Sequence, residues 1–247
     1  MAVDSIDSST ESKCYRVKDA MDCLVQENSE SVTLICPPAV DVGLARRILE
    51  PLAEELGKKA VVLIGEGVDV CEINEILEEW LVRNRCSWAD TPLLAYYHDF
   101  EWGNMPTSDS KWFEFVTLEI FQAGLSWKTI LRKRLEFRKA FLNFDINGVS
   151  QFTEQDIEDL LQNPGIVRNK KKLLVSVENA KIALNLLSSY GSLDTFFRTV
   201  CLGAPEHKII STLCETFRFV GPTTAQSIAN ATGLIPPLHD ESCYLAQ

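Results

Sequence analysis

The sequence predicts a mainly α-helical body, containing a unit of helix, Pro-Gly hairpin and helix, preceded by a small α/β module. Three observations lead there. Beyond residue 85, apolar residues recur at three- and four-residue spacing over most of the chain. Before it, two short β-branched runs, VTLIC at 32–36 and AVVLI at 60–64, alternate with helical stretches. Charge divides at the same place: residues 1–84 hold 8 Lys/Arg against 17 Asp/Glu, a net of −9, and the remainder holds 16 against 18, a net of −2. With 247 residues of which 46% are hydrophobic, the chain is long enough for two packed units, 1–84 and 85–247.

The opening MAVDSIDSSTESK is polar and acidic and reads as a frayed start, not a signal peptide. An amphipathic start around Val17 to Val25 follows, then the first β-branched run. Asp41 can cap a helix in which Ala45, Ile48, Leu49, Leu52 and Leu56 share a face, with a kink expected at Pro51. After 60–64 and the turn GEG, Val70, Ile73, Ile76, Leu77 and Trp80 stripe one side of a last helix whose other side carries Glu72, Glu75, Glu78 and Glu79. Strand-helix-strand-helix order resembles the domain shared by sulfate transporters and anti-sigma-factor antagonists. The antagonists' phosphorylated Ser has no counterpart in VDVCEIN, so only the fold is implied, with a protein partner as the expected ligand.

In the body, 112–121 reads as a dense apolar helix and 131–144 as a basic, aromatic one. Thr153 caps a helix at 154–162, ended by Asn163-Pro164-Gly165, and the next runs from about Lys170 to Ser188. Residues 196–216 form paired helices, and Gly221-Pro222 opens the last. No run approaches a membrane span, so a membrane role is excluded. Six of the eight cysteines sit at irregular positions, which fits reduced thiols and a cytoplasmic protein, expected to be monomeric. No Walker loop, nucleotide-binding glycine fingerprint or nucleophile elbow occurs.

Chemistry concentrates at 86–127, where CSWADTPLLAYYHDFEWG and LEIFQAGLSW gather Trp, Tyr, His, Cys and carboxylates. Singly, Trp88, Trp102 and Trp127 read as core; together with acceptors they suit a pocket for a flat polar ring. Cys86 and His98 are matched in the tail by His239 and Cys243. Two Cys with two His make a closed tetrahedral zinc set, which leaves a structural ion, one per chain, tying the two ends of the body together. Two basic clusters, Lys128, Arg132, Lys133, Arg134, Arg138, Lys139 and then Arg168, Lys170, Lys171, Lys172, read as phosphate contacts or as solvated helix faces. The acidic module should repel DNA, so nucleic acid falls to the body.

On C-x-W, YHDFEWG, LE-x-x-QAGLSW, NPGIVRNKKK, FRFVG and the terminal H-x3-C, the chain from about Arg85 to Gln247 resembles the type I DNA-3-methyladenine glycosylases, a bacterial base-excision repair family. One departure is the spacer between Cys86 and His98, a residue shorter than usual. The resemblance implies a helix-hairpin-helix glycosylase with a zinc clip, acting on alkylated duplex DNA by flipping out 3-methyladenine and hydrolysing its N-glycosidic bond. Glu119 and Tyr97 would hydrogen-bond the base, Trp127 and Trp88 stack on it, and Gln122 and Trp102 line the pocket. Leu125 would fill the gap in the duplex, while Gly165, Arg168, Lys170 and Lys171 hold its backbone. The alternative is a non-catalytic protein that binds DNA lesions or partners on a glycosylase-like scaffold. An ionised Glu119 would accept from the N6 amino group of adenine and oppose the O6 acceptor of guanine, favouring 3-methyladenine over 7-methylguanine.

Overall fold

The computed structural model describes residues 82–246 and, ahead of them, the backbone of three strands. β1 (Val25–Glu27), β2 (Ser31–Cys36) and β3 (Lys59–Ile64) form one sheet in that order. β1 pairs antiparallel with β2, and β2 pairs parallel with β3 from Ser31 opposite Lys59 to Cys36 opposite Ile64. Both β-branched runs are therefore strands. A parallel pair requires a long crossover, and the helix expected from Asp41 occupies that connection in sequence. That helix, the 70–80 helix and the amphipathic start before Val25 lie outside the described residues; Val25 itself opens a strand.

The chain divides into two compact units, Met1–Phe100 with His239–Gln247, and Glu101–Leu238. The division falls after α1 (Pro92–Phe100), later than the change of charge at residue 84. In the first unit the tail returns to the start of the body, where Tyr244 N–H donates to the Asn84 carbonyl at 2.8 Å and Arg83 lies 4.7 Å over the Tyr244 ring.

The second unit is built around α2 (Asp109–Gln122), whose residues from Trp112 to Phe121 are all buried. A helix apolar on every side needs neighbours on every side. α9 (Pro222–Ala231), α6 (Lys170–Tyr190), α3 (Trp127–Ala140) and α7 (Leu193–Val200) supply them, with Trp112 stacked on Phe197 at 4.2 Å between ring centres. α3 ends sooner than its composition suggests. Leu142, Asn143 and Phe144 all take positive φ (54°, 55°, 58°), a left-handed turn that costs roughly 1–2 kcal/mol per residue. Burial of Phe141 and Phe144, stacked at 5.5 Å, offsets that cost. The chain then makes a one-turn helix α4 (Ile146–Ser150), absent from the sequence reading because five residues carry too little periodicity.

α5 (Glu154–Gln162) starts as expected: Thr153 accepts from Asp156 N–H and the Asp156 side chain accepts from Thr153 N–H, a reciprocal cap. The chain turns at Asn163–Gly165 and enters α6, capped by Asn169. α8 (Glu206–Thr216) pairs with α9. Among the described residues Cys86, Cys201, Cys214 and Cys243 are free thiols, and no helix is long and apolar enough to cross a membrane.

Candidate functional site

Within the first unit, α1 places His98 in its last turn, where the ring is fully buried. Cys86 lies just ahead of α1, and the tail brings in His239 and Cys243. The four ligand atoms lie within 4.8 Å of one another. His98 Nε2 is 3.4 Å from Cys243 Sγ, and His239 Nδ1 is 3.4 Å from Cys86 Sγ and 3.5 Å from Cys243 Sγ. A tetrahedral zinc with bonds of about 2.3 Å to sulfur and about 2.0 Å to nitrogen has sulfur–nitrogen edges of about 3.5 Å. The donor set fits such an ion in chemistry, and these three sulfur–nitrogen edges match its spacing.

Two residues that the sequence reading passed over orient this cluster. His98 Nδ1 donates to Asp99 Oδ1 at 2.8 Å, which leaves Nε2 bare as a ligand, and Arg85 clamps Asp99 with Nε–Oδ2 at 2.9 Å and Nη2–Oδ2 at 2.7 Å. Burial works to raise the Asp99 pKa, but the hydrogen bonds from His98 and Arg85 outweigh it and hold the carboxylate below its usual range. The adjacent His-Asp pair was the available signal. Burial pushes the Cys86 thiol up to about 11, even though it accepts from Asp240 N–H at 3.3 Å. Burial and the neighbouring His98 lower the His239 pKa, which favours the neutral, ligating ring. Trp88 and Tyr97 belong to the same unit. The Trp88 ring lies 5.3 Å from His98 and 6.3 Å from Tyr97, and Tyr97 is 3% exposed.

The second unit separates two buried carboxyls on one helix. Glu114 accepts from Arg134 Nε at 2.6 Å and Arg138 Nε at 2.8 Å, and Arg134 also pairs with Glu101. These guanidiniums outweigh burial and hold Glu114 low. Arg134 and Arg138 thus face inward to a carboxylate, a correction to their place in the first basic cluster; an apolar helix that carries an acid at 114 must neutralise it. Glu119 has no such partner. It is 5% exposed, nothing among the described residues donates to its carboxyl, and burial alone pushes its pKa up to about 8. Burial thus favours the protonated carboxyl in the free protein at neutral pH.

Glu119 stands one turn before the Ala123–Ser126 connection to α3. Gly124 takes φ +88° there, and Leu125 is 39% exposed. The Gln122 amide donates to the Leu125 carbonyl at 2.9 Å, so its nitrogen braces the turn. Trp127, half-buried, opens α3 behind the Ser126 cap, and Trp102 is half-buried near the start of the unit. Lys172 is another correction to the basic clusters. Its ammonium is buried and donates to the carbonyls of Phe121 at 3.0 Å and Ala123 at 2.7 Å, closing the end of α2. Lys172→Met is expected to cost about 2 kcal/mol, the range for hydrogen bonds from a charged donor, and to speed amide exchange at Leu125. Denaturant melts and exchange mass spectrometry check it; unchanged exchange at Leu125 would remove the bracing role.

At the α5–α6 turn, Gly165 N–H is taken by Asn163 Oδ1 at 2.8 Å, and a Cβ at Gly165 would meet Glu136 Cβ at 2.9 Å. The glycine serves close packing there. Lys133 donates to the Pro164 carbonyl at 2.8 Å. Arg168, Lys170 and Lys171 are exposed around the start of α6, with Lys170 paired to Glu158.

The second unit is thus a helical body that carries a buried carboxyl without a partner among the described residues, one turn ahead of an exposed leucine turn. The chain belongs to the methyladenine glycosylase family, whose profile matches residues 87–213. It is 34% identical to DNA-3-methyladenine glycosylase 1 of Escherichia coli strain K12 over 61% of this chain and 91% of that relative. With DNA-3-methyladenine glycosylase of Haemophilus influenzae it shares 32% identity over 66% of this chain and 98% of the other. Among solved structures, 3-methyladenine DNA glycosylase I from Staphylococcus aureus, described for its recognition of 3-methyladenine, is 31% identical with a TM-score of 0.58, over 66% of this chain and 95% of that one. Another 3-methyladenine DNA glycosylase I is similar at 34% identity and TM-score 0.58. The profile includes His98 but not Cys86, His239 or Cys243.

Proposed function

We propose that this chain excises 3-methyladenine from alkylated duplex DNA by hydrolysing the N-glycosidic bond, and that Glu119 is the group that reads the base. The observation carrying this is the buried carboxyl with no partner among the described residues, on the helix that ends in the QAGLSW turn. A buried polar group left without a partner costs stability. A cationic base supplies the missing partner.

A purine methylated at N3 carries formal positive charge, so its bond to deoxyribose is weak and the base leaves without being protonated. The C1′–N9 bond breaks with its electron pair going to the base, which becomes neutral, and water adds to C1′ and gives up a proton. The enzyme's task is to take the nucleotide out of the stack, hold it and exclude other chemistry. When the cation arrives, Glu119 ionises, accepts from the N6 amino group and balances the charge, while Trp127 stacks on the ring. Leu125 fills the space left in the duplex. Arg168, Lys170 and Lys171, at the start of α6 in a helix-hairpin-helix unit, hold backbone phosphates without reading sequence. Tyr97 and Trp88 are assigned to the base by the family motifs that contain them.

Cys86, His98, His239 and Cys243 hold one structural zinc. The closed set leaves no open coordination position, so the ion contributes folding energy and takes no part in bond breaking. Residues 1–84, with a net charge of −9, are directed to a protein partner and not to DNA.

Guanine presents O6 where adenine has its amino group. Glu119 can meet O6 only while protonated, and then gives up its attraction for a cationic base. Preference for 3-methyladenine over 7-methylguanine should therefore be clear at pH 7 and should sharpen as pH rises through about 8, where the free carboxyl ionises. Chromatography of bases released from methylated DNA between pH 6 and pH 9 tests this. Equal release of the two bases, or a preference that weakens with rising pH, would count against Glu119 as the reader; no released base at all would overturn the enzymatic assignment.

A further inference from the structure

FRFVG is the family motif that the base pocket does not use. In the structure it forms the loop between α8 and α9. Phe217 and Val220 are buried, while Phe219 between them is 51% exposed with φ +63°, and Arg218 is exposed beside it. Asn179 of α6, 1% exposed, holds this loop from inside. Its Nδ2 donates to the Arg218 carbonyl at 3.1 Å and its Oδ1 accepts from Arg218 N–H at 2.7 Å, so both main-chain groups of Arg218 are fixed by one side chain. Apolar burial on either side and a two-point hydrogen bond leave Phe219 facing solvent.

The same face of α6 holds the Leu125 turn. Lys172, two turns earlier on the helix, grips the carbonyls of Phe121 and Ala123. Lys172, Ser176 and Asn179 are all buried, at the spacing that keeps side chains on one stripe. Seven residues of helix span about 10 Å, so the anchors of the two exposed apolar side chains are set about 10 Å apart on one rigid rod.

We propose that Phe219 is a second apolar contact to the duplex, beside the gap filled by Leu125, with Arg218 meeting the adjacent phosphate. The inference rests on the DNA reading given above, through the continuity of α6 from the phosphate-holding hairpin to Asn179. Apolar side chains wedged at base steps are a recurrent means of keeping DNA bent, and an aromatic face against a base tolerates any sequence. Asn179 acts as a positioning residue.

The test uses the full-length protein and a fluorescein-labelled duplex with a central tetrahydrofuran abasic analogue. By anisotropy, Phe219→Ala should bind on the order of tenfold more weakly than the parent, and Phe219→Trp should restore binding because it keeps the stacking face. A 2-aminopurine placed in turn at the steps flanking the analogue should change its emission at one position with the parent and not with Phe219→Ala. By calorimetry, affinity for free 3-methyladenine, which offers no duplex, should stay within about twofold of the parent for both variants, separating a DNA contact from a general loss of folding. Parent-like duplex binding by Phe219→Ala overturns the proposal while leaving the glycosylase reading intact. A parent that binds no duplex overturns both.

Discussion

Protein prepared without added metal is expected to contain one zinc per chain, and removing it should unfold the joint between the tail and α1. Zinc ties in small peptides are worth roughly 10–16 kcal/mol, an upper guide for a site inside a larger body. The thiols supply the mechanism of the loss. With Cys86 pushed up to about 11, its thiol keeps its proton at neutral pH in the metal-free protein, so zinc binding must displace that proton as the metal draws out the thiolate. Titrating zinc into chelated protein in buffers of different ionisation enthalpy reads that release directly. Cys243→Ala should lose the metal and melt well below the parent. Asp99→Asn should keep the four ligands yet lower zinc affinity about tenfold to a hundredfold, because it removes the anion that holds His98 Nδ1–H. The absence of stoichiometric zinc, or a Cys243→Ala variant as stable as the parent, would sink the assignment.

The second large effect is expected at Glu119, where function and stability pull in opposite directions. The folded pKa, about 8, lies above the ordinary value of 4.5, so the native state binds more protons than the unfolded chain between these pH values. Stability is undiminished below about pH 4.5 and falls as pH rises toward 8, by about 3 kcal/mol at pH 7. Glu119→Gln cannot ionise. It should therefore match the parent near pH 4.5, exceed it by about that amount at pH 7 and by somewhat more at pH 9. Base excision should fall on the order of a hundredfold in kcat, since the variant lacks the charge that meets a cationic base. Denaturant titrations at the three pH values, with single-turnover release of 3-methyladenine, measure both sides. A gain in stability over the parent no larger at pH 9 than at pH 4.5 would show that the carboxyl is not buried uncharged, and undiminished excision would remove it from the site.

The contrast between Glu114 and Glu119 explains why one helix can carry both. Each lies on the same buried helix, five residues apart in a run of aromatic and aliphatic side chains. Arg134 and Arg138 reach the first from α3 and make it a structural ion pair. Neither reaches the second, and a buried group without a partner among the described residues is available to a ligand.

The sequence by itself determined the helical character of the body, the reciprocal cap at Thr153, the hairpin at Asn163–Gly165 and the two strands at 32–36 and 60–64, because capping, turn chemistry and periodicity act between residues close in the chain. It also marked Cys86, His98, His239 and Cys243, since ligand chemistry is written in residue type. The tertiary structure decided what depends on neighbours distant in the chain. Arg134 and Arg138 look like phosphate ligands until Glu114 lies across from them, and Lys172 looks like one until the end of α2 takes its ammonium. Asp99 became the brace of His98 only with Arg85 beside it. The charge state of Glu119 was illegible for the same reason. Sequence names the acid, but its pKa is set by how completely packing excludes water and by whether a cation is left within reach.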